Sequence, residues 1–368
     1  MQDANVMDYL HWRGDLSFCA DPANEVDSLI FSTLAYVTFE EKTEAVPLSA
    51  ALCAYHYLPD GERITGVVIP DNLAPFAEAA AASARFGSCK VFHFCTYTDE
   101  TEQTQFAAVT FLTDDGAAHI VFRGTDDTIV GWKEDLNMAF SQQIPAQRKA
   151  AEYLMQIANA YPDKPLYLSG HSKGGNLAVW ASFHTSESVQ SRIVRVYALD
   201  APGFLPGITE TPSYEKIRDR IARFVPVSSP VGMLLDSDAD CRFIASSQIG
   251  PFQHAPLSWL VRGNTFVYRP GRSHFGEQTD RSMRHFLASL SHSEREAFAD
   301  TLYALATSSD AKTITEWSEN GLRSAIQIRR ALKGLDPQLR KNLMHTILTF
   351  FRGVPKDSRL KNGEDKEK

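Results

Sequence analysis

Residues 166 to 176, Leu-Tyr-Leu-Ser-Gly-His-Ser-Lys-Gly-Gly-Asn, set a serine between two glycines as Gly170-His171-Ser172-Lys173-Gly174. A short β-like run precedes this pentapeptide, and an apolar stretch of helical character (Leu177, Ala178, Trp180, Ala181) follows it. A serine hydroxyl attacks a carbonyl only when a base reaches it and its oxygen stands clear of its own backbone. A sharp strand-to-helix turn meets the second need by straining the serine, so the residues two before and two after it must lack bulk. Gly170 and Gly174 satisfy that demand, and Gly175 lets the helix approach the sheet. The layout is that of a nucleophile elbow with Ser172 as nucleophile.

Acyl transfer from such a serine also needs donors where the oxyanion forms. The backbone N–H of Lys173, directly after the nucleophile, is one. The second is expected from an earlier strand end, and Ile120-Val121-Phe122-Arg123-Gly124-Thr125 supplies it: Gly124 permits close approach, and Thr125 offers an N–H and a hydroxyl. The general base is expected in a loop after the last strands. His254 lies there, after the β-like run from Cys241 and before Pro256 and Trp259, and is preferred to His274. His171 is expected to point away from Ser172 into packing, and His11, His56, His93 and His119, all upstream of the elbow, read as structural.

These residues need a scaffold that delivers them to one edge. A capped amphipathic helix runs from Asn24, and an alanine-rich one spans about 74 to 86. Strands are expected at 91 to 97 and 105 to 112, the second joined through Thr113-Asp114-Asp115-Gly116 to a third at 119 to 122; Asp-Gly between β runs is a hairpin signal. Helix (146 to 160), strand (166 to 169), helix (175 to 184), strand (193 to 199), helix (214 to 222) and strand (223 to 227) then alternate. That alternation predicts right-handed crossovers and a mainly parallel sheet. Ser172, Asp200 and Ser228 would all emerge at the carboxyl ends of its strands, where such sheets do their chemistry.

After about residue 276 the pattern is almost wholly helical. Ser291-x-x-Glu294 is a capping box ahead of Phe298, Leu302 and Leu305, and Asp336-Pro337 starts a further helix with Leu339, Leu343 and Ile347. The expected organisation is a hydrolase domain over 1–275 with an N-terminal helical segment, a helical region over 276–353, and a charged, disordered tail over 354–368.

A chain of 368 residues accommodates one large α/β domain and a smaller appendage. The net charge of −8 argues against broad attraction to nucleic acid. The acidic N-terminus lacks the features of a signal peptide, and no apolar run approaches the roughly 20 residues that span a bilayer. Five scattered cysteines, Cys19, Cys53, Cys89, Cys95 and Cys241, fit unpaired thiols in the cytoplasm.

Phe122-Arg-Gly-Thr125, Gly131-Trp132-x-x-Asp135 and Gly170-His-Ser-x-Gly-Gly175 together resemble the class 3, or fungal-type, lipases of the α/β-hydrolase superfamily. The resemblance implies that Thr125 forms the oxyanion hole, that Asp135 partners the Thr125 hydroxyl, that the segment 126–132 leading to the tryptophan is a short lid, and that His254 stands where the catalytic histidine does. The chain more closely resembles an uncharacterised bacterial group related to those lipases, the Mbeg-like family. Tyr9 to Phe18 with Glu25-Val-Asp27, the His-Ser-Lys-Gly-Gly-Asn elbow, Leu199-Asp-Ala-Pro-Gly-Phe204, and Pro230 to Leu235 followed by Gln253-His254 carry this likeness, which covers most of residues 8 to 262.

Two positions depart from the lipase pattern. Where those enzymes carry the acid of the triad this chain has Ser228-Ser229, leaving Asp200 at the end of the preceding strand as the preferred acid and Asp236, a short way beyond the serines, as the alternative. Lys173 stands where leucine is usual; its side chain is either a solvated surface cation or a group favouring an anionic substrate such as a phospholipid or an acyl thioester. The expected fold is thus an α/β-hydrolase: a mainly parallel sheet flanked by helices, an antiparallel hairpin at its start, and a C-terminal helical extension. The expected activity is a serine hydrolase, lipase- or esterase-like, cleaving carboxylic esters of lipid-like or acylated substrates, with transient membrane-surface contact and no metal or organic cofactor. A non-catalytic hydrolase-fold protein that binds a partner through its helical region, or an acyltransferase using the same site, are the alternatives.

Overall fold

All nine residues of Thr104–Leu112 are buried, as expected of a strand covered on both faces. The computed structural model describes residues 4–40, 44–55, 72–237, 239–307, 337 and 340, and it places this strand third in a nine-stranded sheet. In chain order the sheet contains β1 (Val46–Pro47), β2 (Lys90–Asp99), β3 (Thr104–Leu112), β4 (Ala118–Phe122), β5 (Leu166–His171), β6 (Ile193–Leu199), β7 (Ile221–Pro226) and β8 (Cys241–Ile244). β9 (Val261–Arg262) and β10 (Thr265–Phe266) form a separate hairpin, and β11 (Tyr268–Arg269) closes the main sheet beside β8.

β1 to β4 pair antiparallel, β4 to β8 run parallel, and β11 returns antiparallel. The β3–β4 hairpin turns where Asp-Gly predicts: Thr113 N–H donates to Ala117 O at 3.1 Å and Gly116 adopts φ +87°. This is the α/β-hydrolase fold, a mainly parallel sheet with an antiparallel start and helices on both faces.

Period-two alternation decides which helix covers which residues. Val109 and Phe111 of β3, Val121 of β4, and Tyr197 and Leu199 of β6 join the core under α1 (Val6–Arg13), α2 (Glu25–Leu34), α3 (Leu48–Tyr55), α4 (Leu73–Ala82) and α5 (Ala84–Gly87). Phe106, Ala108, Ile120, Phe122, Val196 and Ala198 face the other way. α6 (Ile129–Asn137) follows β4, and α7 (Pro145–Ala160), α8 (Lys173–Phe183), α9 (Glu187–Gln190) and α10 (Pro212–Ile217) line that second core. Every residue of α2 is buried. Its Asp27, capping-box partner of Asn24, is paired with Arg85 at 2.6 and 2.8 Å and accepts a hydrogen bond from the Tyr9 hydroxyl at 2.8 Å.

Two expected helices differ from those observed. The helix expected over 74 to 86 breaks at Ser83, which is extended (φ −76°, ψ 149°) and caps the Phe86 N–H with its hydroxyl. The helix expected over 214 to 222 ends at Ile217, a 3₁₀ turn covers Arg218–Arg220, and β7 begins at Ile221. Burial of Ile221 and ladder pairing of Ile221 and Ala222 with Val196 and Tyr197 outweigh the helical pattern there.

α11 (His274–Ala288) and α12 (His292–Thr307) make up the described part of the extension. They pack Phe286 against Phe298, ring centroids 5.7 Å apart, and the Ser291–Glu294 box caps α12 as expected. α12 lies against α6. Apart from Pro337 and Arg340, the further helix expected at Asp336 and the tail over 354–368 lie outside the described residues, as does His56. Among the described residues no helix is long and apolar enough to cross a membrane.

Candidate active site

β5 delivers the serine. Ser172 sits at φ +59°, ψ −133°, a strained conformation for a residue with a side chain, between the end of β5 and the first turn of α8. Its N–H donates to Leu199 O of β6 at 2.9 Å, which pins the turn to the neighbouring strand. The flanking glycines are obligatory on contact grounds. A Cβ on Gly170 would lie 2.2 Å from the carbonyl of Gly174, and one on Gly174 would lie 2.1 Å from Phe122 O.

β6 delivers Asp200 at its carboxyl end, itself at φ +47° and fully buried. Its Oδ2 lies 2.6 Å from His254 Nδ1 and accepts a short hydrogen bond from the Ser229 hydroxyl, while Oδ1 accepts from the Gly232 N–H at 3.0 Å. A carboxylate accepting from all three fixes the tautomer of His254: the proton sits on Nδ1, and Nε2 is left as a base.

His254 closes the 3₁₀ turn Gly250–His254. Gln253 anchors that turn by accepting the Ser228 N–H at 2.8 Å and the Trp259 indole N–H at 3.0 Å. His171, the residue before Ser172, packs against the ring: its Nε2 donates to His254 O at 2.8 Å, and the two ring centroids are 4.4 Å apart. Burial, with the neighbouring His254 adding to it, holds the His171 pKa well below the usual histidine range. His171 is therefore neutral, with its bare Nδ1 turned to the Tyr36 hydroxyl at 3.5 Å.

β4 delivers Gly124 and Thr125, the residues expected on the oxyanion side. Gly124 runs so close beside the elbow that a Cβ on it would meet Ser172 Cβ at 3.2 Å, and Thr125 follows. The Thr125 hydroxyl lies 2.7 and 2.6 Å from the two carboxylate oxygens of Asp135 on α6. Burial raises the Asp135 pKa to about 6, against the opposing pull of the Lys173 cation and of the Thr125 hydrogen bond. An ionised Asp135 can only accept, so the Thr125 hydroxyl donates to it. Segment 126–132 is tied down: Asp126 pairs with Arg123 at 3.0 Å, both buried, and Thr128 caps α6. Trp132 stands exposed on that helix.

Three expectations need correction or narrowing. Asp236 pairs with Arg284 at 3.2 Å through an exposed side chain and bridges Phe204 through its backbone, so of the two carboxylates it is Asp200 that meets His254. His274 is exposed at the start of α11, with Ser273 as its cap. The Lys173 side chain is neither solvated nor turned to substrate. It is 1% exposed and donates to Gln105 O at 2.8 Å, Gln105 Oε1 at 2.9 Å and Glu134 Oε2 at 2.8 Å. An ammonium has three protons, and all three are engaged. Gly232, Tyr36 and Glu134 were not expected at the site, and Ser229 was expected only as standing in the place of the acid. For Ser229 the signal was present, since a hydroxyl beside the end of β7 can serve an acid on β6 without replacing it.

A family model for Mbeg1-like proteins matches residues 80–304, a span that contains the elbow, both sides of the oxyanion region, Asp200 and His254. The chain belongs to the Mbeg1-like family. No curated protein matches it. Among solved structures, this Mbeg1-like chain is similar to native Rhizomucor miehei lipase in its propeptide complex (15% identity, TM-score 0.38, 65% of this chain and 79% of that one). It is also similar to a mutant MDLA from Penicillium cyclopium (12%, 0.37, 65% and 83%) and to lipase II from Rhizopus niveus (15%, 0.33, 42% and 67%). The fold itself is carried by this chain's own topology.

Proposed function

We propose that the protein is a serine hydrolase that cleaves carboxylic esters of lipid-like or acylated substrates through an acyl-enzyme. The observation that carries this reading is the 2.6 Å Asp200–His254 contact in a chain whose Ser172, at the end of β5, is held at φ +59°. Ser172 Oγ attacks the ester carbonyl while His254 Nε2 takes its proton, and Asp200 stabilises the imidazolium that forms. The Lys173 N–H and Thr125 receive the oxyanion. Collapse expels the alcohol, protonated by His254, and water activated by the same nitrogen releases the acid and restores Ser172. We place the protein in the cytoplasm, in contact with membrane surfaces only transiently; Cys19, Cys89, Cys95 and Cys241 are free thiols, in keeping with a reducing compartment.

A fluorophosphonate probe tests the nucleophile, and p-nitrophenyl esters from acetate to palmitate test the chemistry. The expected result is labelling and turnover in wild type, both abolished in Ser172→Ala. Folded wild type that takes no label, or hydrolysis rates equal in Ser172→Ala, would sink the proposal.

A further inference from the structure

We infer that Glu134 and Lys173 are positioning residues that set the spacing of the two oxyanion donors through a buried ion pair; this rests on the serine-hydrolase reading above. The donors arise on separate segments, Thr125 after β4 and the Lys173 N–H at the start of α8, both beyond Phe122 and Gly170, the last paired residues of the two strands. Two consecutive carboxylates of α6 reach both. Asp135 holds the Thr125 hydroxyl at 2.6 and 2.7 Å, and Glu134 holds Lys173 Nζ at 2.8 Å. Adjacent residues of one helix thus grip one donor residue each.

Glu134 is itself anchored. It is fully buried; its Oε1 accepts the Ala146 N–H at the start of α7 at 3.0 Å, and its Oε2 accepts the Gln105 N–H of β3 at 3.1 Å. Gln105 also receives two of the three ammonium protons. The pair therefore ties α6, the start of α7, α8 and β3 at one point. A buried ion pair is weak as a stabiliser compared with well-packed apolar groups of equal volume, so its retention fits a demand for geometry. The long lysine stem runs from the very residue whose N–H faces the oxyanion, and charge pairing at its far end restrains the rotation of that peptide.

The test uses the full chain with p-nitrophenyl esters, an alkyl trifluoromethyl ketone, and fluorophosphonate titration of active sites. The ketone carbon bonds to Ser172 Oγ, the serine proton passes to His254, and the resulting oxyanion occupies the donor site. Glu134→Gln keeps the shape and is expected to lower kcat about 10- to 100-fold per titrated site, by comparison with loss of an oxyanion donor. KM should stay within about twofold, and ketone affinity should fall by the same factor as kcat. Lys173→Met combined with Glu134→Gln removes both charges and leaves an amide oxygen to accept one of the backbone N–H groups that Glu134 holds, so it should fold yet keep the kcat defect. If these variants only reduce the fraction of titratable sites, with wild-type kcat per site and wild-type ketone affinity, the pair is structural and the positioning role is overturned. If wild type neither titrates nor hydrolyses, the serine-hydrolase reading falls and this role with it.

Discussion

At the scale of single residues, the chemistry concentrates on which carboxylate meets His254. Asp200 accepts from His254, Ser229 and Gly232 while fully buried, so Asp200→Asn would present an amide to Nδ1 and favour the wrong tautomer. A fall in kcat of about three to four orders of magnitude is expected, against an unchanged rate for Asp236→Asn, whose carboxylate serves Arg284. Equal losses in the two variants would refute the assignment. Asp135 makes a separate prediction about pH. Its pKa is about 6 when folded and 3.8 when free, so the folded protein holds this proton more tightly than the unfolded chain. Stability therefore falls as pH rises from about 4 to about 6 and is level above that. The loss is at most about 3 kcal/mol, reduced by the solvent that still reaches this half-buried side chain. Denaturant titrations of wild type and Asp135→Asn across that window should converge at low pH and separate in favour of the variant as pH rises; parallel curves would show that Asp135 carries no raised pKa.

At the scale of elements, the elbow is the clearest case of strain held for position. Ser172 at φ +59° costs energy that glycine would not incur. Ser172→Gly is expected to abolish fluorophosphonate labelling and to raise unfolding free energy by about 1 kcal/mol, measured by denaturant titration; a destabilised variant would count against strain at the turn. This element was legible because its demands are local: two glycines within four residues of each other, a β run before and an apolar run after. The Asp-Gly hairpin and the Ser291–Glu294 cap were legible for the same reason. Lys173 was not, since its partners Gln105 and Glu134 lie 68 and 39 residues away in the chain and nothing beside Lys173 announces them. β7 starts two residues earlier than its sequence suggests because pairing with β6, a tertiary event, claims Ile221 and Ala222 from the helix that precedes them.

At the scale of the whole molecule, the open matter is what a helical extension does for a sheet that is already covered on both faces. α12 does not add to either core; it lies over α6, the helix whose Glu134 and Asp135 reach the two sides of the oxyanion region. The link is Lys133, the residue before that pair, which meets Asp300 of α12 at 2.6 Å; its side chain is 1% exposed while that of Asp300 is 60% exposed. Arg295 adds a hydrogen bond to Ala139 O at 3.1 Å just past the end of α6, and His292 packs edge-on against Phe140. If these contacts brace α6 against β3, the two carboxylates it carries are restrained with it. Because half of the Lys133–Asp300 pair is solvated, a double-mutant cycle with Lys133→Met and Asp300→Ala should give a coupling of about 1 kcal/mol, weakened by salt. Hydrogen exchange separates restraint from simple surface pairing. If α12 braces α6, amides of residues 129 to 137 exchange faster in Asp300→Ala while those of β5 and β6 do not change. Zero coupling with unaltered exchange in α6 would make the extension an appendage with no hold on the site.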